Sequence, residues 1–258
     1  MSVVSTEIKD RIAIVTITRE EKLNAINLEV LEGLYKALTD VAANEEVRAV
    51  IITGQGDRAF STGGDLELFQ IENYEDIERG FVLGREMYET IESMPKPVIA
   101  AVNGFAAAGG LVLVLYSDII IASDRASFMI PDVKLGILPI YKFSKKLTLA
   151  VGSFRAREIL MTGRPVDANT AERIGLVNKV VPHEKLEEES YKLAKELANN
   201  APLVLAFIKD SMTKCFSLDD REYVEYEYEN FRRVWHSEDK KEGLKSFIER
   251  RRPHYRGK

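Results

Sequence analysis

Two glycine pairs, Gly63–Gly64 in "AFSTGGDL" and Gly109–Gly110 in "GFAAAGGL", are where this sequence leaves room for chemistry. Each follows an apolar, strand-like run, and each precedes a segment that reads as the start of a helix, the first at Asp65. Glycine carries no Cβ, so the amides at such a corner stay open to a ligand. The first N–H groups of a helix also lack intrahelical partners and carry about half a positive elementary charge. A corner of this kind suits an anion, or an oxyanion that develops during a reaction. The plainer reading of either corner alone is a tight turn with close backbone packing. A phosphate loop is excluded because no Lys-Ser/Thr pair follows the glycines, and a dinucleotide site because the GxGxxG spacing is missing.

The remaining polar candidates are weaker. His183, His236 and His254 lie far in sequence from both corners, show no metal-ligand spacing, and read as surface or interface residues, so no metal is expected. Asp65 and Asp118 read as a helix cap and a turn-fixing side chain, following the usual preference of aspartate. The basic cluster "ERRRPHYRGK" reads as a solvated tail.

The corners need elements to aim them. Alternating apolar and β-branched residues predict strands over residues 12–18, 48–54, 96–104, 118–123 and 175–181. Between them Leu28, Leu31, Leu34 and Leu38, and then Phe81, Leu83, Met87 and Ile91, recur near helical spacing. Strands alternating with helices predict an α/β core with parallel pairing, since parallel strands need a long crossover. "GFAAAGG" is expected as a turn, and "LVLVLYSD" as a helix apolar on every side and therefore buried. Further helices are expected at 153–163 and 167–175, with Gly163 and Gly175 as stops, and at 185–200. From about residue 200 only helical patterns remain. We divide the chain into an α/β core over 1–200 and a helical C-terminal region over 201–258.

Composition limits the function. Of 258 residues, 45% are apolar and 30% charged, as in an ordinary globular protein, and the formal net charge of −5 argues against nucleic-acid binding. Cys215 is the only cysteine, so no intrachain disulfide forms and a reducing compartment is the simplest expectation. No run of 18 apolar residues occurs, and the start of the chain carries charges in place of a signal-peptide core. These features read as cytoplasmic, with no membrane partner.

The ordered motifs "KLNAI" (22–26), "RAFSTGGDL" (58–66), "KPVIAAVNGFAAAGG" (96–110), "SDIIIAS" (117–123), "MTGRPVDA" (161–168), "IGLVNKVV" (174–181) and "KKEGLKSFIERRRP" (240–253) resemble the crotonase, or enoyl-CoA hydratase/isomerase, superfamily almost throughout the chain. The resemblance implies a spiral of ββα turns with a helical C-terminal region used for trimerisation, as a homotrimer or a dimer of trimers. It also implies an acyl-coenzyme A thioester as substrate, with the coenzyme as part of that substrate and no separate cofactor. Carried onto this sequence, the N–H groups of Gly64 and Gly109 form an oxyanion hole for the thioester carbonyl. Lys22, Ala25, Ser61, Asp65, Leu66 and Glu67 fall in the substrate- and coenzyme-binding stretches. Hydratases of the family use two glutamates; here Val112 stands at one of those positions and Asp132, in "MIPDVKLGILP", at the other. That pattern favours double-bond isomerisation or other single-acid chemistry over ordinary hydration. Two alternatives stay open: decarboxylation of a malonyl-type thioester, with Tyr141 as a possible participant, and acyl-CoA binding without catalysis.

Overall fold

The computed structural model describes residues 2–71 and 73–258. The strands, in chain order, are β1 (Val4–Lys9), β2 (Ile12–Ile17), β3 (Ala49–Gly54), β4 (Ala59–Ser61), β5 (Val98–Val102), β6 (Phe105–Ala107), β7 (Ile119–Ser123), β8 (Ser127–Met129), β9 (Val166–Asp167) and β10 (Lys179–Val181). The first helices are α1 (Leu28–Ala43), α2 (Tyr74–Ser93), α3 (Gly109–Tyr116) and α4 (Phe143–Val151). They are followed by α5 (Ser153–Thr162), α6 (Ala168–Arg173) and α7 (Leu186–Ala198), and the C-terminal region is α8 (Pro202–Lys214), α9 (Asp220–Trp235) and α10 (Glu238–Ile248).

Three successive stretches repeat one pattern. In β3–β4–α2, β5–β6–α3 and β7–β8–α4 the first strand joins a six-stranded sheet ordered β1-β2-β3-β5-β7-β10. The second joins a four-stranded sheet ordered β4-β6-β8-β9, and a helix closes the turn. Pairing from β2 through β10 in the large sheet is parallel, and this is the expected ββα spiral. β3 and β5 are buried along both faces, which explains their unbroken runs of valine, isoleucine and alanine. α1 starts where the Asn27 side chain accepts from the Val30 N–H at 3.0 Å, and it turns Val30, Leu31, Leu34, Leu38 and Val41 into the core.

Four expectations need correction. The stretch 105–107 is a strand, not part of a turn: the Phe105 N–H donates to Arg58 O at 3.0 Å, and β6 lies between β4 and β8. The run 175–181 is a strand only from Lys179. Its first half closes α6, since the Leu176 N–H donates to Ala171 O at 2.9 Å and Gly175 takes a φ of +84°. The segment after Asp65 is a single 3₁₀ turn, Leu66–Gln70, and the α-helix begins only at Tyr74. The basic tail is tied down as well as solvated. Arg251 pairs with Glu242 and Glu249, and Asp239 accepts from the Arg256 and Gly257 amides at 2.6 and 2.8 Å.

Candidate active site

The two corners meet. Gly63 has a φ of +84°, and a Cβ built on it would lie 2.6 Å from both Ala107 O and the Gly109 nitrogen. At Gly110 an added Cβ would sit 2.2 Å from Ser61 O, so the second glycine of that pair is there for close approach and not for conformation. The positive φ of the corner falls instead on Ala108, at 43° with ψ −121°, which holds backbone strain at the start of α3.

This approach brings two amides together. The position a Gly109 Cβ would take is 3.6 Å from the Gly64 nitrogen, and both glycines line one cavity of about 570 Å³. Around them Ile26 donates to Gly63 O at 2.7 Å, Asp65 to Ile26 O at 3.0 Å and Val112 to Ala108 O at 3.0 Å. No acceptor among the described residues takes the Gly64 or Gly109 N–H. Only Gly109 stands at the N-terminus of an α-helix; Gly64 is held by an isolated parallel bridge to Ile26. The apolar run behind Gly109 is buried as α3 and fixes the direction of its first amides.

Asp132 begins a 3₁₀ turn after β8 and reaches the same cavity. Its Oδ2 is buried without a hydrogen-bond partner among the described residues, and burial pushes its carboxyl above the ordinary aspartate value. Val112, 5% exposed, lines the wall one turn into α3, so Asp132 is the single carboxylate on the cavity surface among the described residues. Tyr141 also lines the cavity. Its ring packs 4.9 Å from Tyr88, and its backbone takes a φ of +60°.

The other expected residues lie around the corner. Lys22 and Glu67 are exposed and face each other at 3.7 Å, and Leu66 is exposed beside them. Ala25 is buried, with its carbonyl accepting from Arg19 Nη1 at 3.1 Å. Ser61 is fully buried; its hydroxyl donates to Asn24 O at 2.8 Å and accepts from the Gly63 N–H at 3.2 Å, which shapes the corner from behind. Asp65 is buried, pairs with Arg19 at 2.7 Å and caps the 3₁₀ turn through the Glu67 N–H; the Arg19 guanidinium holds its carboxyl below the usual range.

Sequence reasoning missed Arg19, Asn24 and Tyr88. Asn24, fully buried in the "KLNAI" motif, donates to Gln55 O and Ala59 O at 3.0 and 2.8 Å and pins the first corner to β4. Tyr88 donates from its hydroxyl to Gly109 O at 2.9 Å. His183, expected at the surface, is instead a strut: Nδ1 lies 3.0 Å from Ser123 Oγ and Nε2 3.3 Å from Asp57 Oδ1. Among the described residues no group of three His, Cys, Asp or Glu side chains could hold a metal ion, and no helix is long and apolar enough to cross a membrane.

Residues 7–258 match the family model described as enoyl-CoA hydratase/isomerase. The chain is 35% identical over 246 residues to the short-chain-enoyl-CoA hydratase of Clostridium acetobutylicum, covering 95% of this chain and 94% of that protein. It is 34% identical to the crotonyl-CoA hydratase of Syntrophomonas wolfei, covering 96% of each. Among solved structures, an enoyl-CoA hydratase from Bacillus anthracis superposes with a TM-score of 0.96 at 33% identity, covering 99% of this chain and 100% of that one.

Proposed function

The chain belongs to the enoyl-CoA hydratase/isomerase family of enzymes, and from that premise we propose that it moves a double bond within an acyl-CoA thioester, using the Gly64 and Gly109 amides as an oxyanion hole and Asp132 as its one proton carrier. The observation that carries this reading is the pair of unclaimed amides lining one cavity together with a carboxylate that has a buried, unpaired oxygen. In a 3-enoyl thioester, Asp132 takes a proton from carbon 2, and the electron pair moves onto the thioester oxygen as a dienolate held by the two N–H groups. The double bond reforms between carbons 2 and 3 as the proton is delivered to carbon 4. Each oxyanion donor is typically worth about 2.7–4 kcal/mol in the transition state. Hydration by two acids lacks its second group, since Val112 carries no proton, and loss of a general acid-base group typically costs about 10² to 10⁴ in rate. Coenzyme A enters as part of the substrate, with no separate cofactor. The single exposed cysteine, Cys215, accords with a reducing, cytoplasmic setting. Exposed apolar residues on α8–α10 support a homotrimer or a dimer of trimers.

The presence of Tyr141 on the cavity wall favours one second reading, decarboxylation of a malonyl-type thioester, in which carbon dioxide leaves and the hole holds the resulting enolate. One experiment separates the readings. Acyl-CoA incubated with the protein in heavy water exchanges its α-protons if Asp132 shuttles them, and Asp132→Asn lowers that exchange about 10² to 10⁴-fold. Because burial raises the Asp132 pKa and the base must be ionised, exchange rises with pH through that raised value and falls away below it. A decarboxylase keeps most of its rate in Asp132→Asn. Saturable binding with no exchange at any chain length points to a non-catalytic acyl-CoA binder.

A further inference from the structure

The reading above leaves the acyl group open, and the cavity beyond the hole constrains it. We infer that this site takes an unbranched, purely hydrocarbon acyl chain of medium length, about eight to twelve carbons, the estimate resting on cavity volume. The inference rests on the acyl-CoA reading and specifies its substrate.

Volume comes first. The cavity measures about 570 Å³. At the volume per molecule of liquid water, about 30 Å³, which a methylene roughly matches, it accommodates on the order of fifteen to twenty non-hydrogen atoms. The thioester and the adjoining atoms of the coenzyme arm take part of that space. A four-carbon acyl group would leave most of the remainder against apolar walls.

The walls decide the chemistry. Leu31 from α1, Ile77 and Phe81 from α2, and Ile137, Leu138 and Ile140 from the loop before α4 make its lining largely apolar. Two charged side chains touch the cavity among the described residues. One is Asp132, and the other, Arg79, is 81% exposed on its side chain and lies 3.5 Å from Glu32. With Arg79 turned outward to a carboxylate, no cation waits for an acid at the far end of the chain. Leu138, 79% exposed at the rim, is apolar surface that the last carbons of a long chain would cover.

α2 is also bared on the cavity side. Ile77, Gly80, Phe81, Gly84 and Tyr88 share one helical face. Gly84 makes room for Tyr141, whose hydroxyl would lie 2.7 Å from an added Cβ, but at Gly80 an added Cβ meets nothing within 4 Å. Gly80 therefore leaves open volume on a wall that a side chain would otherwise fill. Glycine is a poor helix former, so its presence in mid-helix sets volume above propensity.

The test is a chain-length series on the full chain: kcat/KM for 3-enoyl-CoA substrates from four to sixteen carbons, and affinity for the matching saturated acyl-CoAs by calorimetry. We expect kcat/KM and affinity to rise about fourfold for each added methylene and to level off by about twelve carbons. Gly80→Leu shifts the optimum to shorter chains. A flat or falling series from four carbons, or a preference for a phenyl-bearing acyl group over the ten-carbon chain, overturns the inference. Because calorimetry needs no turnover, these outcomes read the cavity even if no thioester is converted, a failure that would sink the reaction and not the chain-length claim.

Discussion

The Tyr88 hydroxyl donates at 2.9 Å to the Gly109 carbonyl from a ring that is fully buried, and burial together with Tyr141 and Tyr116 pushes its pKa well above 10. It therefore stays protonated, a fixed donor at any working pH. In the proposed mechanism Gly109 supplies one hole amide through the Ala108–Gly109 peptide, and Tyr88 anchors the adjoining Gly109–Gly110 peptide, so it steadies the residue next to the N–H whose direction matters for charge stabilisation. Tyr88→Phe keeps the packing and removes that one bond. We expect kcat to fall about tenfold with KM nearly unchanged, since misplacement of a catalytic group acts on the transition state. The fold should lose only about 1 kcal/mol, the net worth of a typical hydrogen bond. An unchanged kcat in steady-state assays would show that the hole is rigid without it. At this scale the glycine pairs stand out in the sequence by themselves, whereas Asp132 is picked out only by the resemblance to the family. The sequence hides Tyr88, whose role comes from a helix 21 residues away crossing the start of α3. It also misleads on Ala108, since no residue type announces a positive φ carried by alanine.

Among the elements, the longer strands and amphipathic helices are legible because their apolar runs or helical periods extend over five or more residues. β4, β6 and β8 have three residues each, too few for a period, and they exist because neighbours complete their pairing. These short strands carry the two glycine corners, so the motif is visible in the chain while its placement is not. The docking of α8 is equally non-local. Lys209 Nζ, on a side chain 10% exposed, reaches Asp118 Oδ2 at 2.8 Å and the carbonyls of Ile91 and Lys96 at 2.7 and 3.1 Å. Asp118 meanwhile accepts from the Val98 N–H at 2.7 Å, so one carboxylate joins β5, the start of β7 and α8. Removing the cation leaves a shielded carboxylate unpaired and two carbonyls without a donor. Lys209→Ala should therefore cost about 3–5 kcal/mol in denaturant unfolding, the range for breaking a buried ion pair. A loss below about 1 kcal/mol would mean that α8 is held by apolar packing alone.

At the scale of the whole molecule, the C-terminal helices expose large aromatic side chains. Phe231, Trp235 and Phe247 on α9 and α10 are 58%, 52% and 85% exposed, and Phe231 stacks on Trp235 at 5.5 Å. An ordinary monomer rarely leaves large aromatics this exposed, because covering them is favourable by about 25 cal/mol for each Å² removed from water. The helical pattern after residue 200 is plain in the sequence, but which face stays outside is not, since it depends on how α8–α10 fold against the core. Rotational closure of a single heterologous interface gives a ring, and a trimer is the ring expected of this family. Sedimentation of the full chain at micromolar concentration should then show a trimer or hexamer. Phe247→Asp, which places a charge where an aromatic is expected to be covered, should shift the population toward monomer, because burying an unpaired carboxylate is prohibitive. Phe247 is exposed in the single chain, so this change leaves the core intact, and helical circular dichroism should persist as the assembly dissociates. A wild-type protein that sediments as a monomer would remove the trimer proposal. A variant that stays assembled would move the contact to another face of α8–α10.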